Sequence, residues 1–187
     1  MRLFTAIDLP DEIVLRLERL ISALRPEALI HWSPLDNLHI TTKFIGPWDD
    51  ARLAELDAAL SSLAPRPPIQ IELKNLGWFP NARAPRTFWI GVHDQALHQL
   101  ARDTEQILEP LGIARESREF SPHLTLARIK TPVPLRRLHA KVDEMQPASL
   151  GHFAASQFAL YRSDPGSNAS IYRKLREYRF KTVAAAS

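Results

Sequence analysis

The chain contains no cysteine in 187 residues, which removes disulfides, zinc–thiolate centres and cysteine nucleophiles together. That absence suits a reducing compartment. Glycine is scarce, six residues against fifteen prolines. No G-x-G-x-x-G or Walker-type sequence cradles a phosphate, and no G-x-S-x-G offers a serine nucleophile. No apolar run approaches the ~20 residues that span a bilayer. The opening MRLFTAIDLPDE meets Asp8 before a signal-peptide core can develop. A cytoplasmic protein is the expectation. A large excess of one charge is also missing. Lys and Arg number 24 against 21 Asp and Glu, a net +3 that only tilts the chain toward polyanionic partners.

What is present is an ordinary globular composition, 45% hydrophobic and 24% charged, in a chain long enough for a sizeable core. Strand-like and helix-like segments are interleaved. RLFTAID (2–8) reads as a strand. The segment 11–25 puts Ile13, Leu17, Leu20 and Leu24 on one helical face, with Pro10 ahead of it and Asp11 and Glu12 complementing its dipole. Residues 28–32 and 38–44 read as strands, 49–64 as a helix ended by PRPP, and 69–79 and 87–92 as strands around the basic loop PNARAPR. The pattern then predicts a helix at 95–111, a strand at 123–129, a helix at 135–145, and strands at 152–163 and 170–180. The last residues, after about 181, read as a frayed tail. Turn-rich links favour antiparallel pairing, so the fold class expected is α+β. We read residues 1–187 as one bilobal domain, two sheet lobes with outer helices around a cleft, and a monomer.

One feature is written twice. Residues 37–44 are NLHITTKF and residues 121–128 are SPHLTLAR. On an extended strand, positions i and i+2 share a side. His39 therefore projects with Thr41, and His123 with Thr125, while Ile40 and Leu124 turn to the core. From composition alone about 0.3 His-x-Thr matches are expected, so a pair in two β-prone contexts is a signal where one copy would not be. Two imidazoles titrating near neutrality suit proton transfer from an attacking oxygen and to a departing one. Two hydroxyls suit the non-bridging oxygens of a phosphodiester. No acidic residue lies inside either motif to complete a metal shell, so neither metal nor cofactor enters this reading. Asp8 and Asp36 could orient a histidine, though nothing selects them. His31, His93, His98, His139 and His152 have no comparable context and read as packing or surface residues. Thr42 is more polar than an inward position leads one to expect.

With these residues in view, the sequence resembles the two-histidine phosphoesterases, and more closely the bacterial and archaeal RNA 2′,3′-cyclic phosphodiesterases once called 2′-5′ RNA ligases. MRLFTAIDLP, NLHITTKFIG, FPN…PRTFWIGV, FSPHLTLAR and FALYRS carry the likeness across nearly the whole chain. It implies opening of a terminal 2′,3′-cyclic phosphate on RNA to a 2′-phosphomonoester, without metal or cofactor. His39 would give a proton to the departing 3′-oxygen, His123 would activate water, and Thr41 and Thr125 would hold the phosphate. Reversible 2′-5′ joining of RNA ends uses the same pair. Arg128 is a candidate phosphate ligand, although strict alternation from His123 sends it to the wrong face unless the strand ends or twists. Phe44 is a candidate for stacking a base, and Lys43, on the His39 face by parity, for steering RNA. A small substrate, such as an ADP-ribose cyclic phosphate or cyclic dinucleotide product, is the enzymatic alternative. A non-catalytic RNA-binding module is the other.

Overall fold

The computed structural model describes residues 1–63, 65–167 and 169–180. The tail predicted to fray lies outside them. Nine strands and four α-helices appear among the described residues. β1 (Arg2–Ile7), α1 (Asp11–Leu24), β2 (His31–Trp32), β3 (Ile40–Pro47) and α2 (Leu53–Ser61) come first. β4 (Ile69–Phe79), β5 (Thr87–His93), α3 (Gln95–Leu108) and β6 (His123–Arg128) follow. The chain closes with α4 (Arg136–Glu144), β7 (Ser149–Ala155), β8 (Gln157–Asp164) and β9 (Ile171–Arg179). They form two antiparallel sheets, one ordered β3-β1-β8-β9 and one ordered β2-β6-β5-β4-β7.

The helices form for local reasons and are placed by their apolar stripes. The carbonyl of Pro10 accepts from Ile13 and Val14 at 2.9 and 3.1 Å, starting α1. Its buried Ile13, Leu17, Leu20, Ile21 and Leu24 recur at helical spacing. Fully burying Leu17 contributes about 1.5–3 kcal/mol, and Leu17→Ala would cost about 2–5. Asp94 caps α3 by accepting from Ala96 and Leu97. α2 and α3 pack behind the first sheet, α1 and α4 behind the second. No helix among the described residues is long and apolar enough to cross a membrane.

Two departures from the sequence reading matter. The strand predicted at 152–163 is two strands, β7 in the second sheet and β8 in the first, divided at Ser156. The alternation breaks there: Phe153 and Ala155 are buried on one side of it, Phe158, Ala159 and Leu160 on the other. Phe180 N–H donates to the Ser156 carbonyl at 2.8 Å. Each sheet draws strands from both parts of the chain. The first sheet joins β1 and β3 to β8 and β9, so the two ends of the chain pair within it. The predicted strand at 28–32 shortens to His31–Trp32.

Candidate active site

His39 stands just before β3, and Thr41 lies opposite Ala6 on β1. The next pairing, Thr5 with Lys43, skips Thr42, so β3 carries a bulge there. Thr42 faces inward, its hydroxyl 2.8 Å from that of Thr5, which satisfies both in the core. Lys43 is sent inward as well. It is 3% exposed, and its Nζ donates to Glu105 on α3 at 2.7 Å and to the Ala114 carbonyl at 2.8 Å. The expectation that Lys43 steers RNA is therefore corrected. The bulge reverses the parity that put it in the cleft, and its charge is spent on holding α3 and the following loop. Phe44 returns to the cleft side and is 60% exposed, its ring 6.2 Å from that of Phe4.

β6 repeats this construction. Trp89 pairs with Thr125 and Phe88 with Ala127, leaving Leu126 as the extra residue. Leu126 and Ala127 are buried, and Arg128 emerges exposed. The bulge removes the parity objection to Arg128. β3 and β6 touch each other across the two sheets, which brings the motifs together. The positive charge of Arg128 acts on both imidazoles, disfavouring the protonated form of each.

The surroundings of the two histidines share one device. The Ser121 carbonyl lies 2.8 Å from His123 Nδ1; a carbonyl only accepts, so Nδ1–H donates and Nε2 is left for chemistry. The Asn37 carbonyl, also two residues upstream, favours the protonated form of His39. Beyond that they differ. His39 is enclosed by rings: Phe4 stacks on it at 4.9 Å, Tyr172 meets it edge-on at 5.1 Å and Tyr161 lies at 6.2 Å. This burial pulls its pKa down to about 4, against the opposing effects of Asn37 and Asp8. Among the described residues the ring that meets His123 is that of Phe79, edge-on at 4.9 Å, and burial lowers its pKa too.

Sequence reasoning missed the aromatic enclosure and did not single out Asp8, the group behind it. Tyr161 donates to Asp8, and Lys174 Nζ lies 2.6 Å from the same carboxylate. Parity along β1 (Phe4, Ala6, Asp8) held a signal for Asp8, but its partners come from β8 and β9. Of the remaining histidines, His139 packs on Trp78 at 4.6 Å. His93 and His98 line, with His123, Phe79 and Trp89, a recess of about 790 Å³. Among the described residues no group of three or more His, Asp or Glu is arranged to hold a metal. Two imidazoles under the field of one guanidinium, each with a threonine two residues on, are the groups that two proton transfers and a held phosphate require.

A family model described as the 2′-5′ RNA ligase superfamily matches residues 9–167. A Methanocaldococcus jannaschii protein named RNA 2′,3′-cyclic phosphodiesterase is 33% identical over 181 residues, covering 95% of this chain and 100% of its own. An Aeropyrum pernix protein of the same name is 36% identical over 144 residues, 76% of this chain and 81% of its own. Among solved structures, a Thermus thermophilus protein aligns with TM-score 0.84 at 28% identity, over 97% of this chain and 99% of that one. Escherichia coli LigT complexed with 3′-AMP aligns with TM-score 0.77 at 25% identity, over 96% and 97%.

Proposed function

Because the chain belongs to the 2′-5′ RNA ligase superfamily, we propose that it hydrolyses a terminal 2′,3′-cyclic phosphate on RNA to a 2′-phosphomonoester. His123 Nε2 takes a proton from water as the oxygen attacks phosphorus. His39 gives a proton to the departing 3′-oxygen. Thr41 and Thr125 donate to the non-bridging oxygens, whose charge must be held as the five-coordinate arrangement forms, and Arg128 balances that charge. With an RNA 5′-hydroxyl in place of water as the nucleophile, the same proton transfers join ends through a 2′-5′ linkage, and their reversal cleaves that linkage. Phe44 offers a ring face to the terminal base. The protein works as one bilobal domain.

The observation that carries this reading is the matched pair of bulges. Each follows a His-x-Thr and turns the residue five places after the first residue of its motif, Phe44 or Arg128, back toward the cleft. A chance pair of motifs has no reason to share that irregularity. The scheme draws on no metal, so chelation should leave turnover nearly unchanged; loss on chelation with rescue by one divalent ion would overturn it.

The withdrawal of Lys43 from the surface favours keeping a second reading, a cyclic phosphate on a small nucleotide, since it leaves one cation fewer for a polyanion. The deciding assay offers purified protein a cyclic-phosphate-terminated oligoribonucleotide beside a nucleoside 2′,3′-cyclic phosphate. Preference for the oligonucleotide supports RNA ends as substrate. Preference for the mononucleotide supports the second reading, and binding without turnover of either makes the protein an RNA-binding module.

A further inference from the structure

The second sheet leaves a gap beside His123 that is far larger than water requires. On β5, Thr87, Trp89, Gly91 and His93 share the outward face, since Phe88, Ile90 and Val92 are buried. Gly91 pairs directly with His123, so the position next to that ring bears no side chain. None fits there: a Cβ on Gly91 would lie 2.7 Å from the Lys74 carbonyl oxygen and 3.0 Å from His93 Nε2. Gly77, opposite Trp89 on β4, is bare for a related reason. A Cβ on it would come within 2.3 Å of the indole, so the Trp89 ring lies over bare backbone. Phe79 meets that ring at 5.0 Å and His123 at 4.9 Å, holding both beside the gap.

The result is the recess of about 790 Å³, which runs from His123 and Trp89 to His93, His98 and the start of α3. Its far wall is the segment 119–122, tied to β5 where Val92 N–H donates to the Pro122 carbonyl at 3.3 Å. A water molecule needs about 30 Å³, whereas small-molecule sites run from about 300 to 1,000 Å³. Among the described residues no lysine or arginine lines the recess, while Asp94 and Glu119 do. It suits an uncharged ring system with hydroxyls and disfavours a phosphate.

Resting on the function proposed above, we propose that this recess binds the nucleoside that carries the 5′-hydroxyl, with its base against Trp89. His123 takes the proton of the attacking oxygen, so the body of the nucleophile lies on the His123 side of the phosphorus. In joining, the 5′-oxygen bonds to phosphorus, the bond to the 3′-oxygen breaks, and His39 protonates that oxygen. In cleavage of a 2′-5′ linkage the 3′-hydroxyl attacks, giving its proton to His39, and the 5′-oxygen departs with a proton from His123. The same nucleoside fills the recess in both directions. Phe44, on the other sheet, is left for the base of the cyclic end.

The test compares two reactions of one protein. Wild-type protein should cleave a 2′-5′-linked dinucleoside monophosphate and join a cyclic-phosphate oligoribonucleotide to a 5′-hydroxyl end. Trp89→Leu should raise KM for the 2′-5′-linked dinucleotide about fivefold or more, while hydrolysis of a nucleoside 2′,3′-cyclic phosphate stays unchanged. His98→Ala, which leaves the sheet intact, should act in the same direction and by less. Equal loss of both reactions in Trp89→Leu, with His98→Ala silent, would mean that the recess only supports the strand, and overturns the assignment. Titration of wild-type protein with adenosine, followed by NMR, should move His93, His98 and the Trp89 indole before Phe44 and Tyr172. The reverse order overturns the assignment, even where Trp89→Leu fails to fold. Wild-type protein that opens cyclic phosphates yet neither forms nor cleaves a 2′-5′ linkage overturns the nucleoside site alone. Wild-type protein that opens no cyclic phosphate overturns the function, and this site with it.

Discussion

Set side by side, the two motif strands show how one backbone device can carry different chemistry. In both, a histidine whose protonated form is favoured by the backbone two residues upstream precedes an inward apolar residue, an outward threonine and a bulge. After that point each strand uses its side chains differently. β3 sends Thr42 and Lys43 inward and Phe44 out; β6 sends Leu126 and Ala127 inward and Arg128 out. One lobe thus offers a ring and the other a cation from the same position. The enclosures differ as well, since His39 lies among three rings while His123 opens beside a recess. Equal backbones and unequal surroundings are what an acid and a base require of a repeated motif.

The hardest test of that equivalence is removal of the histidines. His39→Ala and His123→Ala should each cost about 10²–10⁴ in turnover with the fold retained, and the double variant less than the product. A nucleotide diester with a 4-nitrophenyl leaving group, which needs no proton, should restore much of the activity of His39→Ala but not of His123→Ala. Equal behaviour of the two would break the division of labour. Thr41→Ala and Thr125→Ala should cost less, roughly a factor of ten to a few hundred in kcat, as expected for one lost donor to developing charge.

The outward residues after the bulges should separate in kind. Arg128→Ala should weaken phosphate binding about tenfold or more and move the pH optimum upward, because its charge depresses both imidazoles. Phe44→Ala should leave the pH profile alone and raise KM for RNA about fivefold or more, from the loss of about 1–3 kcal/mol of stacking. For the wild-type protein, both histidines titrate below their ordinary value of 6.5, His39 at about 4. The bell-shaped kcat/KM profile should therefore peak below pH 6.5; a maximum well above it would contradict the enclosed state of His39. The smallest catalytic effect belongs to Lys43→Met. It should lower Tm by a few degrees through the orphaned Glu105 and Ala114 groups, while kcat/KM and its salt dependence stay unchanged.

Much of this was legible in the chain itself. The alternation in IQIELKNLGWF gives β4 to the residue, and the stripe from Ile13 to Leu24 gives α1. His39, Thr41, His123 and Thr125 stand where period-two reasoning puts them. Lys43 was misplaced because a bulge is a relation between two strands and leaves no mark on one of them. The same blindness made Arg128 look misdirected when it is not. The division at Ser156 was hidden because both flanking segments are strand-like, and sheet membership depends on which partner each finds. Asp8 had the right parity but no visible reason to matter until Tyr161 and Lys174 arrived from the far end of the chain.

That arrival has a consequence for biogenesis. β1 pairs with β8, and β8 with β9, so the first sheet cannot close while the ribosome is still making residues beyond Asp164. Its pairings span most of the chain and are slow to form for that reason. His123 can take up its strand and its carbonyl partner while the chain is still growing. His39 gains Tyr161, Tyr172 and the Lys174-held Asp8 only from strands made last. The nascent polypeptide therefore completes the surroundings of His123 first and those of His39 only at the end of synthesis.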